Sequence, residues 1–172
     1  MVGMTTPQHP TASTRPRYVE APERYEPAAG DPPAIFLAGG ITDCPDWQAE
    51  AAELLLADGL VVLNPRRSDF PIGDPAAAPA QIAWEYRHLH LPQVLTLFWF
   101  PAEAVQPIAL LEFGAALDTP ARPLAVGAHP HYPRRLDVLH QARLARPALT
   151  VRDDLPAVLA DVLALAGVRP AG

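Results

Sequence analysis

From Pro33 onward the chain alternates short apolar runs with segments whose apolar residues recur at helical spacing. Ile35-Phe36-Leu37-Ala38 is an apolar run ended by Gly39-Gly40, the pattern of a strand buried on both faces. Trp47, Ala51, Leu54 and Leu55 then follow a helical period to Asp58-Gly59, after a start marked by Asp43 or Cys44 before Pro45. Leu60 to Leu63 predicts a second strand, closed by Asn64-Pro65, and a loop runs on to Pro79. A helix is predicted from about Pro79 to Leu91. Val94 to Phe100, the most apolar run of the chain, predicts a central third strand. Pro107–Leu117 and Arg134–Leu144 read as helices, and Pro123–Val126 and Leu149–Val151 as strands. A last helix, capped by Asp153, ends near Gly167.

Five strands alternating with helices imply right-handed crossovers and a doubly wound α/β fold with a parallel sheet. In such a sheet ligands bind beyond the carboxyl ends of the strands, where the strand order reverses. The loops after the first three strands are therefore where chemistry is expected. Residues 34–172 make up this α/β domain. Residues 1–33 hold seven of the 22 prolines and show neither period 2 nor period 3.6, so they read as an extended or partly ordered arm.

The formal charge of −6 gives duplex nucleic acid and anionic membranes nothing to attract, yet it allows a small anion held by local arginines. Cys44 is the one cysteine, so no internal disulfide forms. A reducing, cytoplasmic setting is the expectation, with no apolar run of membrane-spanning length and no apolar leader at the start.

Two carboxylates fall on apolar stripes. Ile108, Leu111 and Ala115 recur at i, i+3 and i+7, which predicts the buried side of their helix, and Glu112 stands at i+4 from Ile108. In the preceding helix Ile82, Tyr86 and Leu89 form the stripe, with Glu85 at i+3 from Ile82. An unpaired buried carboxylate costs several kcal/mol, so each acid needs a partner or a task. One task is cleavage of an N-glycosidic bond, where one carboxylate stabilises or traps the oxocarbenium-like sugar and a second manages protons or orients the sugar. A helix N-terminus is expected to favour the ionised nucleophile. The other reading pairs these acids with Arg66, Arg67 or Arg87.

The remaining candidates are less specific. Gly39 and Gly40 let backbone approach a ligand closely, and Asp43 either binds a sugar hydroxyl or caps the helix. Arg66 and Arg67 offer guanidinium forks for phosphate or carboxylate, or for an ion pair with Glu85 or Asp69. Trp47 and Trp84 can stack on a base or belong to the core, with Trp84 the stronger candidate for stacking because it adjoins Glu85. The pairs His88/His90 and His129/His131 have i, i+2 spacing that fits no zinc pattern, and they read as surface histidines. No metal is expected.

Together these residues resemble the nucleoside 2-deoxyribosyltransferase-like family. Ile35-Phe-Leu-Ala-Gly-Gly-Ile41 is similar to its first strand and substrate loop, and Asn64-Pro-Arg-Arg67 to the strand-two ending of its actinobacterial-type branch. Gln81-Ile-Ala-Trp-Glu85, Phe98-Trp-Phe100 and Pro107-Ile-Ala-Leu-Leu-Glu-Phe-Gly114 resemble the stretch that carries its nucleophile. The match runs from about Ile35 to Val126. The resemblance implies a flavodoxin-like (Rossmann-like) five-stranded parallel sheet with helices on both faces. It also implies Glu112 as nucleophile, Glu85 as an acid contacting the substrate, no cofactor, and a homo-oligomer that in some members completes the pocket from a neighbouring subunit.

Well-studied members carry an aspartate in the loop after strand three, where this chain reads Ala102-Glu-Ala-Val-Gln-Pro107; base recognition here differs or rests on Gln106. Deoxynucleotide-hydrolysing relatives carry a serine-rich phosphate loop, and Gly39-Gly40-Ile41 lacks those serines. The expected function is transfer of a 2-deoxyribosyl group between bases. The alternatives are hydrolysis of a nucleoside or nucleotide, and a non-catalytic nucleotide-sensing or binding module.

Overall fold

The computed structural model describes residues 16–71 and 74–168. Eleven elements follow in order: β1 (Arg17–Glu20), β2 (Ala34–Gly39), α1 (Trp47–Ala57), β3 (Val61–Asn64), α2 (Ala77–Leu89), β4 (Val94–Phe100), α3 (Pro107–Leu117), β5 (Leu124–Ala128), α4 (Arg135–Ala145), β6 (Val151–Arg152) and α5 (Leu155–Ala166). The strands form one all-parallel sheet in the order β1-β3-β2-β4-β5-β6. This is a flavodoxin- or Rossmann-like α/β fold with the five expected strands and one more. No helix among the described residues is long and apolar enough to cross a membrane.

The additional strand comes from the arm. β1 pairs with β3 in parallel, Arg17 opposite Val61 through Glu20 opposite Asn64. Of its four residues only Val19 is buried, so an edge strand this short leaves no alternation to read. The arm's first fifteen residues lie outside the described residues.

Two apolar layers sandwich the sheet. Phe36, Ala38, Phe98 and Phe100 point toward α2, α3 and α4, meeting Trp84, Phe113, Leu117 and Val138. Ile35, Leu37, Leu97 and Trp99 point the other way, toward α1 and α5, meeting Trp47, Leu55, Val158 and Val162. All seven residues of β4 are buried, as its composition predicts for a central strand. The chain leaves β2 toward β3 on one side and returns to β4 on the other. The strand order therefore reverses between β2 and β4, and the crevice of such folds opens there.

Three expectations about helices are corrected. α1 is capped by Asp46, whose carboxylate accepts the Ala49 N–H at 3.1 Å; Asp43 stays exposed with φ of 56°. α5 is capped by Asp154 rather than Asp153, because Asp154 accepts the Ala157 N–H at 2.8 Å while Asp153 pairs with Arg135 at 2.6 Å. Of the apolar stripes expected on α2 and α3, only Leu89 turns inward. Ile82 (64%), Tyr86 (66%), Ile108 (60%) and Leu111 (71%) are exposed, as is Ala115. The sheet takes Trp84, His88 and Leu89 from α2 and Ala109, Phe113, Ala116 and Leu117 from α3. α3 is apolar on nearly every side, so its period cannot select which side turns inward.

Candidate active site

The end of β2 is pressed against the end of β4. Gly39 has φ of 147°, and a Cβ there would stand 2.1 Å from the Trp99 carbonyl oxygen, so no side chain fits. A Cβ on Gly40 would lie 2.6 Å from the Gln106 Cδ and 2.9 Å from the Cys44 Sγ. The room these glycines leave is thus filled by neighbouring protein. The Gly40 carbonyl accepts from Trp47 Nε1 at 2.8 Å and from Gln48 Nε2 at 3.0 Å, which fastens the loop onto α1.

Gln106 comes from the loop after β4 and closes over this turn. It holds φ of 50° at the start of α3, is 8% exposed, and donates from Nε2 to Cys44 Sγ at 2.9 Å. Its Oε1 is buried without a hydrogen-bond partner among the described residues. The same loop is anchored from behind, where the Tyr132 hydroxyl donates to the Val105 carbonyl at 2.5 Å.

Arg66 is a staple. Its guanidinium donates to the Pro45 carbonyl (2.9 Å), the Gln48 Oε1 (3.3 Å) and the Cys44 carbonyl (3.3 Å), and lies 3.7 Å from Asp46. Arg67 stands over the Phe70 ring at 5.4 Å, and Arg87 pairs with Glu26 at 2.7 Å. None of the three forms an ion pair with Glu85 or Glu112. Both tryptophans are committed to packing. Trp47 abuts the Gly39–Gly40 turn, and Trp84 lies against Phe36 and His88 with its Nε1 donating to the Glu23 carbonyl at 2.6 Å. His88, expected at the surface, is fully buried, whereas His90 and His131 are exposed.

The two acids are left with each other. Glu85 accepts from Gln81 Nε2 at 2.8 Å, and the same amide nitrogen donates to the Pro65 carbonyl at 2.7 Å. Burial pushes the Glu85 carboxyl up, and the Gln81 bond pulls it partly back. Glu112 makes no hydrogen bond or ion pair with any described residue. Its carboxyl is raised to about 8, first by burial and then by the negative charge of Glu85. The helix N-terminus that was expected to keep Glu112 ionised does not. Glu112 lies a turn and a half into α3, beyond the reach of the first-turn field, and desolvation wins.

Gln81 was not singled out from the sequence as a site residue, although its i, i+4 spacing to Glu85 is the signal that marks it. Two cavities, of about 500 Å³ beneath the arm near Tyr25 and about 470 Å³ between α3 and α4, are lined by neither acid. Glu85 and Glu112 instead sit half-buried beside the exposed Ile82, Tyr86, Ile108 and Leu111. Among the described residues no cluster of three or more His, Cys, Asp or Glu side chains could hold a metal ion.

A pair of coupled carboxyls, one poised near neutrality, can move a proton and carry a covalent bond in one cycle. No curated protein sequence matches the chain. Residues 32–132, more than half of it, match the family described as nucleoside 2-deoxyribosyltransferase-like, and the chain belongs to that family.

Proposed function

We propose that the protein transfers a (deoxy)ribosyl group at the N-glycosidic bond of a nucleoside, with Glu112 as nucleophile and Glu85 as its proton partner. The observation that carries this reading is the pair itself: two half-buried carboxyls without an arginine, coupled so that Glu112 is raised to about 8. Near neutrality the pair therefore holds a proton, chiefly on Glu112. Passing that proton to Glu85 frees the Glu112 carboxylate to bond to the anomeric carbon. The N-glycosidic bond breaks, its electron pair goes to the departing base nitrogen, and Glu85 protonates that nitrogen. An incoming base then attacks the same carbon, releases the Glu112 carboxylate and returns its proton to the pair.

Arg66 is spent on the Cys44 and Pro45 carbonyls, which favours a nucleoside over a nucleotide. The Gly39–Gly40 turn, Asp43 and Gln106 border the crevice, with Gln106 the candidate for base contact. Trp47 and Trp84 support it from within. The exposed Ile82, Tyr86, Ile108 and Leu111 form an apolar rim, and a second copy of the chain covering it would shield the acids from water and complete the pocket. Leu111→Glu is then expected to shift the protein to monomer by light scattering and to lower turnover.

Incubating a deoxynucleoside with a second free base and separating the products tests the reading directly. Base exchange that disappears in Glu112→Ala supports it. Free base released without an acceptor makes water the acceptor and the protein a hydrolase. A rise in Tm with nucleoside but no turnover with any acceptor points to a binding module.

A further inference from the structure

α2 presents two different faces. The side that carries Glu85 is open, and the side that carries Trp84, Arg87 and His88 grips the arm. Trp84 donates to the Glu23 carbonyl at 2.6 Å, Arg87 pairs with Glu26 at 2.7 Å, and the arm's Tyr25 is 2% exposed. Between them lies His88, fully buried, its ring 4.1 Å from the Trp84 ring.

The partners of His88 dictate its tautomer. Nδ1 faces the Trp84 carbonyl at 2.7 Å, and a carbonyl only accepts, so Nδ1 carries the hydrogen. Nε2 faces the Tyr25 backbone N–H at 3.1 Å, and an N–H only donates, so Nε2 must be bare. Protonating the ring would set two donors against each other at a fully buried side chain. We infer that His88 is an acid-sensitive latch: neutral, it holds the arm around Tyr25 onto α2, and protonated, it lets that segment go.

The surroundings do little to rescue a charged ring. Burial holds the imidazole below its usual value, while the Trp84 carbonyl bond pushes it up. Arg87 on its own helix and Arg24 on the arm oppose the charge, and Glu26 on the arm supports it. Asp31 is occupied with the Tyr25 hydroxyl at 3.2 Å and the Ala28 N–H at 2.9 Å. The ring beside it is the apolar Trp84 of its own helix, which in turn packs against Phe36 of the sheet. An unfolded chain takes up the proton near pH 6.5, so the latch's contribution begins to fall below that value. It is gone once the pH passes beneath the folded-state value. The latch is independent of any role for Glu112.

Amide exchange of the full chain, corrected for intrinsic rates, tests this at about pH 7.5 and about pH 5. Protection of residues 21–31 is expected to drop about tenfold or more in acid while that of β4 persists. His88→Gln keeps an acceptor but cannot titrate in this range, so its arm protection should be the same at both pH values. Unchanged wild-type protection overturns the latch. So does an arm that still opens in His88→Gln, which would assign the effect to Glu26 or Asp31. If His88→Gln does not fold, an NMR titration of the native protein decides. The latch requires His88 protonation and loss of Tyr25 amide protection to share one midpoint, and separate midpoints overturn it.

Discussion

Glu20 and Glu112 are both partly buried glutamates, and the fold treats them in opposite ways. Glu20, at the end of β1, accepts the Ser68 N–H and hydroxyl, each at 2.8 Å, and the Tyr18 hydroxyl at 3.1 Å. Burial alone would raise its carboxyl, but these bonds and the nearby Arg67 bring it below the ordinary value. Glu112 has no donor among the described residues and an acid as its electrostatic neighbour, so burial carries it up to about 8. Burial raises both carboxyls, Glu112 the more because it lies deeper, and only Glu20 has the donors that bring it back down.

Removing the unsettled acid should have the largest effect. Glu112→Ala is expected to lower base exchange by on the order of 10⁴-fold, measured as kcat/KM with the fold checked by circular dichroism. Equal exchange by the variant would break the contrast with Glu20 at its functional end.

The pH dependence sharpens it. The proposed reaction runs from the pair holding one proton, which is lost as pH rises through about 8, so kcat/KM should be level near neutrality and fall about tenfold per pH unit above that value. Glu85→Gln removes the second cause of the shift. The limb should then move toward lower pH, while activity falls roughly 10²-fold through loss of proton transfer.

Stability should fall with rising pH as well. The Glu112 pKa is higher folded than unfolded, so the protein is favoured while the group stays protonated and loses that advantage as pH rises through about 8. Glu112→Gln is therefore expected to raise Tm by a few °C near pH 9 and by less near pH 6. Glu20 gives the smallest effect with the opposite sign. Its contribution is present above the ordinary carboxylate range and fades as pH falls through its lowered value. Because Glu20 is largely solvated, Glu20→Gln should cost no more than about 1 kcal/mol at neutral pH and nothing in strong acid.

What was legible in the chain follows from which signals are local. Each of the five expected strands was marked by a short apolar run against a turn, and residues 94–100 announced the centre of the sheet by having no polar side to spare except Thr96. Glu85 and Glu112 stood out because a carboxylate in an apolar context is costly wherever it turns. β1 was hidden because an edge strand of four residues with one buried side chain carries no period. His88 looked like a surface residue because its partners, the Tyr25 amide and the Trp84 carbonyl, are backbone groups that leave no trace in side-chain spacing. The inner face of α3 is hidden for a different reason: in a helix apolar on most sides, the sheet chooses the inner face by shape.

The amino-acid order alone therefore determined the α/β alternation, the family and the two acids. These rest on local hydrophobicity and on the price of burying charge. Only the folded chain decided that Arg66, Arg67 and Arg87 are engaged elsewhere, that Glu112 is left to couple with Glu85, and that the arm is tied to α2 through a neutral histidine. Each of those outcomes depends on which distant groups meet and which are kept apart, and contact across the fold is a property of three dimensions rather than of spacing along the chain.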